Sequence, residues 1–542
     1  MEVISLYNGQ KSAIFQPAKD YSSASAIYMQ TRKPYSKGKR KTILNIGVKG
    51  GSFSTINPSL LWEHRFNERI SSSISTEYMY TSGRYKFTYA KKDGYDTTAV
   101  RQNGDVRMLR LENAFFGKIP KGEWKAKAYL YNSERGYPGA AVREEPGKFR
   151  HQDRQWDTNL FVQGSFQNYF KPWYSLLANG KYAYDYLHYL SDPRLDVTTM
   201  YVDNHYRQQE IYASAAHLFT IYPWWSMSLS NDFQWNTLRA DLIDFVYPTR
   251  NTILTSAATS FDFNRLMLQA SLLYTHVDDN TRTKGANAGT KNKYTPSVIA
   301  TWQPLTKLPL NVRAFYKKVF RMPTLNDLYY TFIGNKDLKP EYTTQYDVGI
   351  TFSHTWNNHW LKSLDLQIDG YYNEVDDKII AMPTSNQFRW TMINLGHVEI
   401  RGLDAAIRGE WGFGKVELST LFNYTYQKAQ DFTDPTSEWY GGQIPYILGM
   451  EVPSSSMEVI KHGLATIVSF IQVNVMKQSP ISRRTTHSLG IPMIFPIQNF
   501  SMGKTGIRVT TEINNIFNQQ YEVVQCYPMP GTSFKIKLNV ML

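Results

Sequence analysis

The residues of this chain whose types suit ligand binding are aromatic and basic side chains in long polar segments. Arg135 and Tyr137 lie within Glu134-Arg135-Gly136-Tyr137-Pro138-Gly139, where glycine and proline favour a tight apex that presents both side chains. A loop that is simply solvated is the alternative interpretation. Similar aromatic candidates for ligand binding are Tyr201, His205, Tyr206, Tyr329 and Tyr330.

The same sequence offers no recognisable catalytic motif. It contains no GxSxG or HExxH pattern and no glycine-rich loop that could hold a phosphate. His354 and His359 are close in sequence, but a metal site there would need further ligands, and interfacial aromatics with incidental histidines are the favoured interpretation. The single cysteine, Cys526, excludes an internal disulfide and argues against a cysteine-based zinc site. We therefore expect no catalytic residues, no metal and no cofactor.

The last forty residues show which elements must position these side chains. Apolar and polar residues alternate from Ile507 to Asn514 and again from Phe534 to Leu542, with a turn-rich stretch between them. A strict period of two places the apolar residues on one face of a β-strand. A chain that ends on such a strand leaves the strand's edge open, and pairing the last strand with the first would close a barrel.

Composition favours one large barrel. Of the 542 residues 15% are aromatic, yet the mean hydropathy is −0.44 and no run of 18 apolar residues predicts a transmembrane helix. Alternating segments with many aromatics and a polar average are typical of an outer-membrane β-barrel. The net charge of +14 is spread along the chain, so we expect outer-membrane lipid, and no nucleic acid, as a partner.

The connections between alternating segments differ in length in a regular way. Short ones include 66–69, 117–122, 222–224, 263–264 and 411–414, and long polar ones lie near 81–105, 134–153, 186–206, 237–251, 277–293, 320–341 and 376–395. Short turns on one rim and long loops on the other predict an all-β, transmembrane antiparallel barrel of about 22 strands. A propeller would show a blade repeat, and a sandwich of this length would need linkers; neither is found after residue 41.

Residues 1–40 differ from the rest of the chain. A turn-rich stretch precedes one short strand, residues 24–32, and a basic linker follows. We therefore divide the chain into residues 1–40 and a barrel of residues 41–542. Arg321 and Glu341 bracket one long loop of this barrel; a charge pair between them would fix the ends of the loop, and two solvated charges are the alternative.

With the strands placed, three stretches resemble the TonB-dependent receptors, which are outer-membrane active transporters with a plugged barrel of about 22 strands. The first stretch comprises 320–329 and 334–341, the second 373–380, 394–396 and 400–404, and the third 514–521 and 527–531. The motifs occur in the family's order, and the resemblance covers nearly the whole chain. It implies that residues 1–40 are the C-terminal tail of the plug domain and a linker.

The resemblance also implies a function. A TonB-dependent receptor takes up a scarce nutrient, such as a siderophore, haem, cobalamin or an oligomer, across the bacterial outer membrane with the help of the TonB complex. A complete receptor would carry a signal peptide, a TonB-contacting segment and most of a plug before residue 1, so the resemblance implies a fragment. The alternatives are a passive porin-like channel, a non-functional remnant and an outer-membrane barrel enzyme.

One stretch does not fit the barrel pattern. Between Ile447 and Asn499 the only aromatic residues are Phe470 and Phe495, and the alternation of apolar and polar residues stops. A shifted reading frame with suitable wobble bases would restore aromatics and two strands. The hypothesis is therefore that residues 447–498 are translated out of frame.

Overall fold

The described part of the chain is almost entirely β-structure. A computed structural model describes residues 3–9, 11–34, 41–90, 96–139, 141, 153–192, 201–283, 289–330, 334–357, 360–383, 390–414, 416–444, 450–451, 455–461, 467–469, 493–502, 505–524 and 527–542. Within these residues, no helix is long and apolar enough to span a membrane.

The barrel is built from long antiparallel strands. Its first strands are β3 (Thr42–Gly51), β4 (Thr55–Arg65), β5 (Ile70–Thr81), β8 (Val106–Ile119), β9 (Gly122–Tyr137), β10 (Asp153–Lys171), β11 (Tyr174–Ser191), β12 (Val202–Tyr222), β13 (Trp225–Ala240), β14 (Thr249–Asp262) and β15 (Leu266–Asn280). They are followed by β16 (Thr290–Trp302), β17 (Leu310–Arg321), β18 (Glu341–Thr355), β19 (Leu361–Pro383), β20 (Trp390–Phe413) and β21 (Val416–Asp431). Four short segments come next, β22 (Gly442–Gln443), β23 (Met450–Glu451), β24 (Ser455–Lys461) and β25 (Ile467–Ser469), and then β26 (Met493–Met502), β27 (Thr505–Asn514) and β30 (Ser533–Met541).

The remaining elements lie outside the barrel wall. Strands β1 (Val3–Asn8) and β2 (Ser25–Gln30) pair with each other, and a 3₁₀ helix, Ala18–Tyr21, lies between them in the chain. Two further hairpins are formed by β6 (Tyr85–Ala90) with β7 (Asp96–Arg101) and by β28 (Glu522–Val524) with β29 (Tyr527–Pro528). The single α-helix of the described residues, α1 (Leu325–Tyr329), lies between β17 and β18.

The barrel closes as the sequence predicts. The last strand, β30, pairs with β27 on one side and with β3, the first barrel strand, on the other. The amide and carbonyl of Leu542 exchange hydrogen bonds with those of Leu44. The described residues contain 20 barrel strands of nine or more residues, close to the predicted number of about 22. The predicted antiparallel barrel is therefore confirmed.

The two faces of the wall differ as the alternation requires. On β12 the even-numbered side chains from Tyr206 to Leu218 point into the lumen, whereas the odd-numbered Ile211 and Ile221 are 44% and 45% exposed on the outside. At the rim with the short turns, rings of neighbouring strands stack on one another, among them Tyr222, Trp224, Trp225, Phe261 and Phe263. An aromatic girdle below an apolar band is typical of a barrel that crosses a bilayer.

Residues 11–24, here called the N-terminal segment, lie inside the barrel. The amides of Ala18 and Lys19 donate to the carboxylate of Asp232 on β13, at 3.0 and 2.8 Å. From β17, Lys317 Nζ donates to the carbonyl oxygen of Ser23 at 2.7 Å. Side chains of the segment pack with lumenal residues of β14 and β15 in a buried cluster of Ile14, Ala18, Tyr21, Leu254, Ala258 and Leu273. The segment therefore docks on several strands of the wall.

The described residues bear on one of three expectations from the sequence. Arg321 and Glu341 are opposite each other on β17 and β18, and their side chains form an ion pair of 3.7 Å, which is the first of the two alternatives that the sequence left open. Most of residues 447–498 lies outside the described residues, so the shifted reading frame stays a prediction. His359 also lies outside them.

Candidate functional site

The long connection between β17 and β18 lies within one mouth of the lumen. Residues 322–330 and 334–340, here called the mouth segment, place Leu325 and Leu328 of α1 against lumenal side chains of the wall. Helix α1 starts with a reciprocal cap, because Thr324 Oγ1 accepts from the Asp327 amide while the Asp327 carboxylate accepts from the Thr324 amide. The cap fixes the direction in which the chain enters the helix.

An aromatic stack joins the mouth segment to the wall. The rings of Tyr330 and of Tyr206 on β12 are parallel, with centroids 4.2 Å apart and an interplanar angle of 8°. Burial raises the pKa of Tyr330 above its usual range, and the neighbouring Tyr206 and Asp157 act in the same direction. Burial also raises the pKa of Tyr329 to about 12, helped by the charge of Asp279. Both phenols therefore stay protonated and neutral in the mouth.

A guanidinium from the wall holds the start of the mouth segment. Arg250 on β14 donates to the carbonyl oxygen of Pro323 at 2.6 Å while it binds the carboxylate of Asp279 on β15. Both charged side chains are almost completely buried. A buried pair of this kind needs all of its hydrogen-bonding groups to be satisfied, and the Pro323 carbonyl contributes to that.

A cavity of about 490 Å³ separates the mouth segment from the N-terminal segment. Its charged lining comes from Lys19, Glu210, Arg250, Arg321 and Glu341, and its amide lining from Gln208, Gln234 and Asn236. The cavity thus combines several hydrogen-bond donors and acceptors with an apolar side formed by residues such as Val319 and Leu325. Concave sites with a few converging polar groups are where small molecules bind.

Two of the predicted ligand-binding residues lie on the lumenal face of β9. Arg135 Nη2 is 3.0 Å from Tyr131 Oη and 3.1 Å from the carboxylate of Asp157. Tyr137 donates to Gln155 at 2.9 Å, and its side chain is 39% exposed. Both residues belong to β9, which extends to Tyr137. The stretch that was predicted to form a loop apex thus begins as part of the barrel wall.

The structure divides the predicted residues into two groups. Tyr206 and Tyr329 are buried in the mouth, at 4% and 7% exposure, where they contact other parts of this chain. His205 has an odd number and therefore points outward from β12, and Tyr201 directly precedes this strand. Their roles in ligand binding stay predictions. The lumenal members are Arg135, Tyr137, Tyr206, Tyr329 and Tyr330.

Two contacts between adjacent strands were not predicted from the sequence. The ion pair of Arg250 with Asp279 and the pairing of His188 with His205 join residues of adjacent strands. Only the register of those strands brings them together, and no local motif marks them.

The chain is similar in sequence to known transport proteins. It matches the family described as "TonB dependent receptor-like, beta-barrel" over residues 28–456. Curated relatives named "Vitamin B12 transporter BtuB" are 31% identical over 112 residues in Vibrio vulnificus and 31% over 138 residues in Photobacterium profundum. The aligned parts are 21% and 24% of this chain and 17% and 21% of the relatives. The chain therefore aligns with about a fifth of the length of these relatives.

The fold is shared with solved structures at low sequence identity. The "Copper transporter OprC" has a TM-score of 0.73 at 14% identity, with 99% of this chain and 85% of that chain covered. The FrpB iron transporter from Neisseria meningitidis (F3-3 variant) has a TM-score of 0.70 at 12% identity and covers 100% and 87%. The siderophore receptor PiuA from Acinetobacter baumannii has a TM-score of 0.71 at 10% identity and covers 99% and 86%. At such identities the likeness shows the fold.

Proposed function

Because this chain belongs to the family of TonB-dependent receptor-like β-barrels, we propose that it admits a scarce nutrient molecule through its lumen in the bacterial outer membrane. The nutrient enters from the mouth with the long loops and passes the mouth segment. The proposed partners are the nutrient, outer-membrane lipid and, for the complete transport system, the TonB complex.

The observation that supports this proposal is the polar cavity between the N-terminal segment and the mouth segment. The N-terminal segment lies on one side of the cavity and the mouth segment on the other. A molecule could reach the cavity when the mouth segment moves and leave it when the N-terminal segment moves. This arrangement suits gated uptake better than a passive pore, whose lumen would stay open.

We propose that residues 1–40 serve as part of the plug. The N-terminal segment meets the wall through one small apolar cluster and through hydrogen bonds with side chains of the wall, namely those of Ser230, Asp232, Gln234 and Lys317. A pull on the preceding chain could break these few contacts without disturbing the strand pairing of the barrel.

The chemistry of the cavity narrows the nutrient to a polar molecule. Carriers named in the comparisons take vitamin B12, iron, copper or siderophores. A cobalamin, a ferric siderophore, haem or a short oligomer each has polar groups that the guanidinium and amide groups of the lining could bind. Arg135 and Tyr137 lie on the lumenal face of β9, at the end of this strand that leads into a long loop. A molecule that enters from this side would therefore meet them before it reaches the mouth segment.

Equilibrium binding to the folded chain in detergent tests the proposal. A cobalamin, a ferric catecholate, haem and an oligosaccharide are titrated while tryptophan fluorescence is followed. We expect one of these classes to bind, and we expect Tyr137→Ala and Arg135→Gln to raise the Kd about tenfold or more, which corresponds to about 1.4 kcal/mol. Tyr182→Ala is the matched control, because Tyr182 is equally exposed but points outward from β11.

Two results would contradict the proposal. If none of the four classes binds to the folded chain, uptake of these nutrients is excluded. If the lumenal variants and Tyr182→Ala affect the Kd equally, the ligand does not pass Arg135 and Tyr137. A steady, large ion conductance of the unaltered chain in a planar bilayer would favour the passive pore instead.

A further inference from the structure

Two histidines on adjacent strands face each other on the outside of the barrel. His188 of β11 and His205 of β12 are register partners. Their rings are stacked, with centroids 4.1 Å apart and an interplanar angle of 14°. On the other side of His188 the ring of Trp156 stacks at 4.5 Å. The two imidazoles thus lie close together in nearly parallel planes.

A carboxylate completes this group. Asp203 lies two residues before His205, so the period of two of a strand puts it on the same outward face. Its Oδ1 is 2.7 Å from His188 Nε2. One ligand atom from each of His188, Asp203 and His205 lies within 4.8 Å of the others. Two imidazole nitrogens and a carboxylate oxygen are a donor set that Zn²⁺ and its neighbours among the transition metals prefer.

A fourth residue sets the tautomer of His205. Asp241, which follows β13, accepts from the His205 backbone amide at 2.7 Å, and its Oδ2 is 2.6 Å from His205 Nδ1. With the proton of the imidazole on Nδ1, the lone pair of Nε2 is free to bind a metal. Metal-binding histidines commonly have such a carboxylate behind them, because it orients the ring and raises its basicity. Asp241 is not itself part of the three-residue group.

The group lies above the apolar band of the barrel. His188 comes 14 residues after Tyr174, which begins β11 at the rim with the short turns. At about 3.3 Å per residue and a tilt of about 45°, this separation is about 33 Å along the barrel axis, more than the apolar band of about 25 Å. The outward-facing residues of β12 support this position, because Asp203, His205 and Arg207 are polar and the apolar Ile211 comes only after them in the strand. Ions in water can therefore reach the group.

We propose that His188, Asp203 and His205 form a site for a divalent transition-metal ion such as Zn²⁺. The lone pair of each Nε2 lies in its ring plane, so the two imidazoles rotate out of their stack for both nitrogens to bind one ion together with the carboxylate of Asp203. The ion displaces the proton on His188 Nε2 and with it the hydrogen bond to Asp203. Water completes its coordination. Because the ligands come from β11 and β12, the ion cross-links these strands beyond the membrane. The site is outside the lumen and does not depend on the proposed uptake function.

Metal titration of the tag-free, folded chain in detergent tests this site. We expect calorimetry to show one high-affinity Zn²⁺ per chain. His188→Gln and His205→Gln should each weaken binding about 100-fold or more, and Asp241→Asn about 10- to 100-fold with the same stoichiometry. His217→Gln is the matched control, because His217 is on the same face of β12 near its other end. It should bind Zn²⁺ like the unaltered chain.

A second measurement needs no substitution. Electron paramagnetic resonance of the unaltered chain with one equivalent of Cu²⁺ should show hyperfine coupling to two imidazole nitrogens. The proposal is overturned if the spectrum shows no nitrogen coupling, or if Zn²⁺ binds without a fixed stoichiometry. It is also overturned if folded His188→Gln and His205→Gln chains, checked by circular dichroism, bind Zn²⁺ as tightly as His217→Gln.

Discussion

Arg250 and Asp279 form a two-pronged ion pair across β14 and β15, with Nε–Oδ1 and Nη2–Oδ2 distances of 2.6 and 2.7 Å. The third arm of the guanidinium, Nη1, donates to the Pro323 carbonyl oxygen at 2.6 Å. The side chains are only 10% and 3% exposed. Arg250 thus connects two strands of the wall with the mouth segment. Mutations can therefore test separately how Arg250 affects the stability of the barrel and how it affects the position of the mouth segment.

The substitution Arg250→Met leaves the Asp279 carboxylate buried without its partner. We expect it to lower the free energy of unfolding by about 3–5 kcal/mol, whereas the double variant Arg250→Met/Asp279→Leu should recover most of this loss, because no unpaired charge remains. Urea unfolding of the chain in lipid vesicles measures both. Limited proteolysis should cleave the mouth segment faster in both variants, since both lose the bond to Pro323. Equal stability of the two variants, or unchanged cleavage, would contradict this role of Arg250.

The stack of Tyr206 on Tyr330 should be measurable as a coupling energy. In a double-mutant cycle, Tyr206→Ala and Tyr330→Ala should be less destabilising together than their sum, by about 0.5–1.5 kcal/mol, because each removes the other's partner. Urea unfolding in vesicles supplies the four free energies. As a control, Tyr222→Ala at the opposite end of β12 should combine additively with Tyr330→Ala. A coupling of zero for the stacked pair would show that the mouth segment does not rest on Tyr206.

Much of the barrel could be predicted because its rules are local. The alternation and the turn residues identify β27 and β30, and the ion pair of Arg321 with Glu341 follows from two strands that begin and end at one loop. Each of these predictions needs only neighbouring residues or one hairpin.

The contacts in the lumen and at the outer rim could not be predicted in the same way, because most of them depend on the register in which neighbouring strands pair. Arg250 meets Asp279 only if Asp262 is opposite Met267; a turn shortened by two residues would place Val277 opposite Arg250. His188 and His205 are brought together across a long connection, whose length does not fix a register. The stack of Tyr206 on Tyr330 joins segments more than a hundred residues apart, and alternation within one strand carries no information about such a contact.

Gly9, just before the N-terminal segment, allows the chain to pass close to the Phe315 ring of the wall. It has φ +79°, and a Cβ there would lie 2.3–2.8 Å from atoms of the Phe315 ring. An L-residue in this conformation costs about 1–2 kcal/mol, and the clash adds to that cost. We expect Gly9→Ala to release this part of the chain and to increase the ion conductance of the barrel several-fold in planar bilayers. Gly180→Ala on β11, where a Cβ meets nothing within 4 Å, is the control and should conduct like the unaltered chain. Equal conductance of all three chains would mean that this contact does not close the lumen.

Adjacent residues on β20 offer a direct test of which face meets lipid. Ile407 is 38% exposed and pairs with Leu366 and Phe422, whereas Ala406 pairs with Gln367 and Asn423. Ile407 is six residues from Phe413 at the end of the strand, or about 14 Å along the axis, near the middle of an apolar band of about 25 Å. Ile407→Arg should therefore make folding into vesicles less favourable by about 2–4 kcal/mol. Ala406→Arg should change the folding free energy by much less, because its side chain enters the polar lumen. Urea titrations in vesicles compare the two, and a larger loss for Ala406→Arg would reverse the assignment of the inner and outer faces.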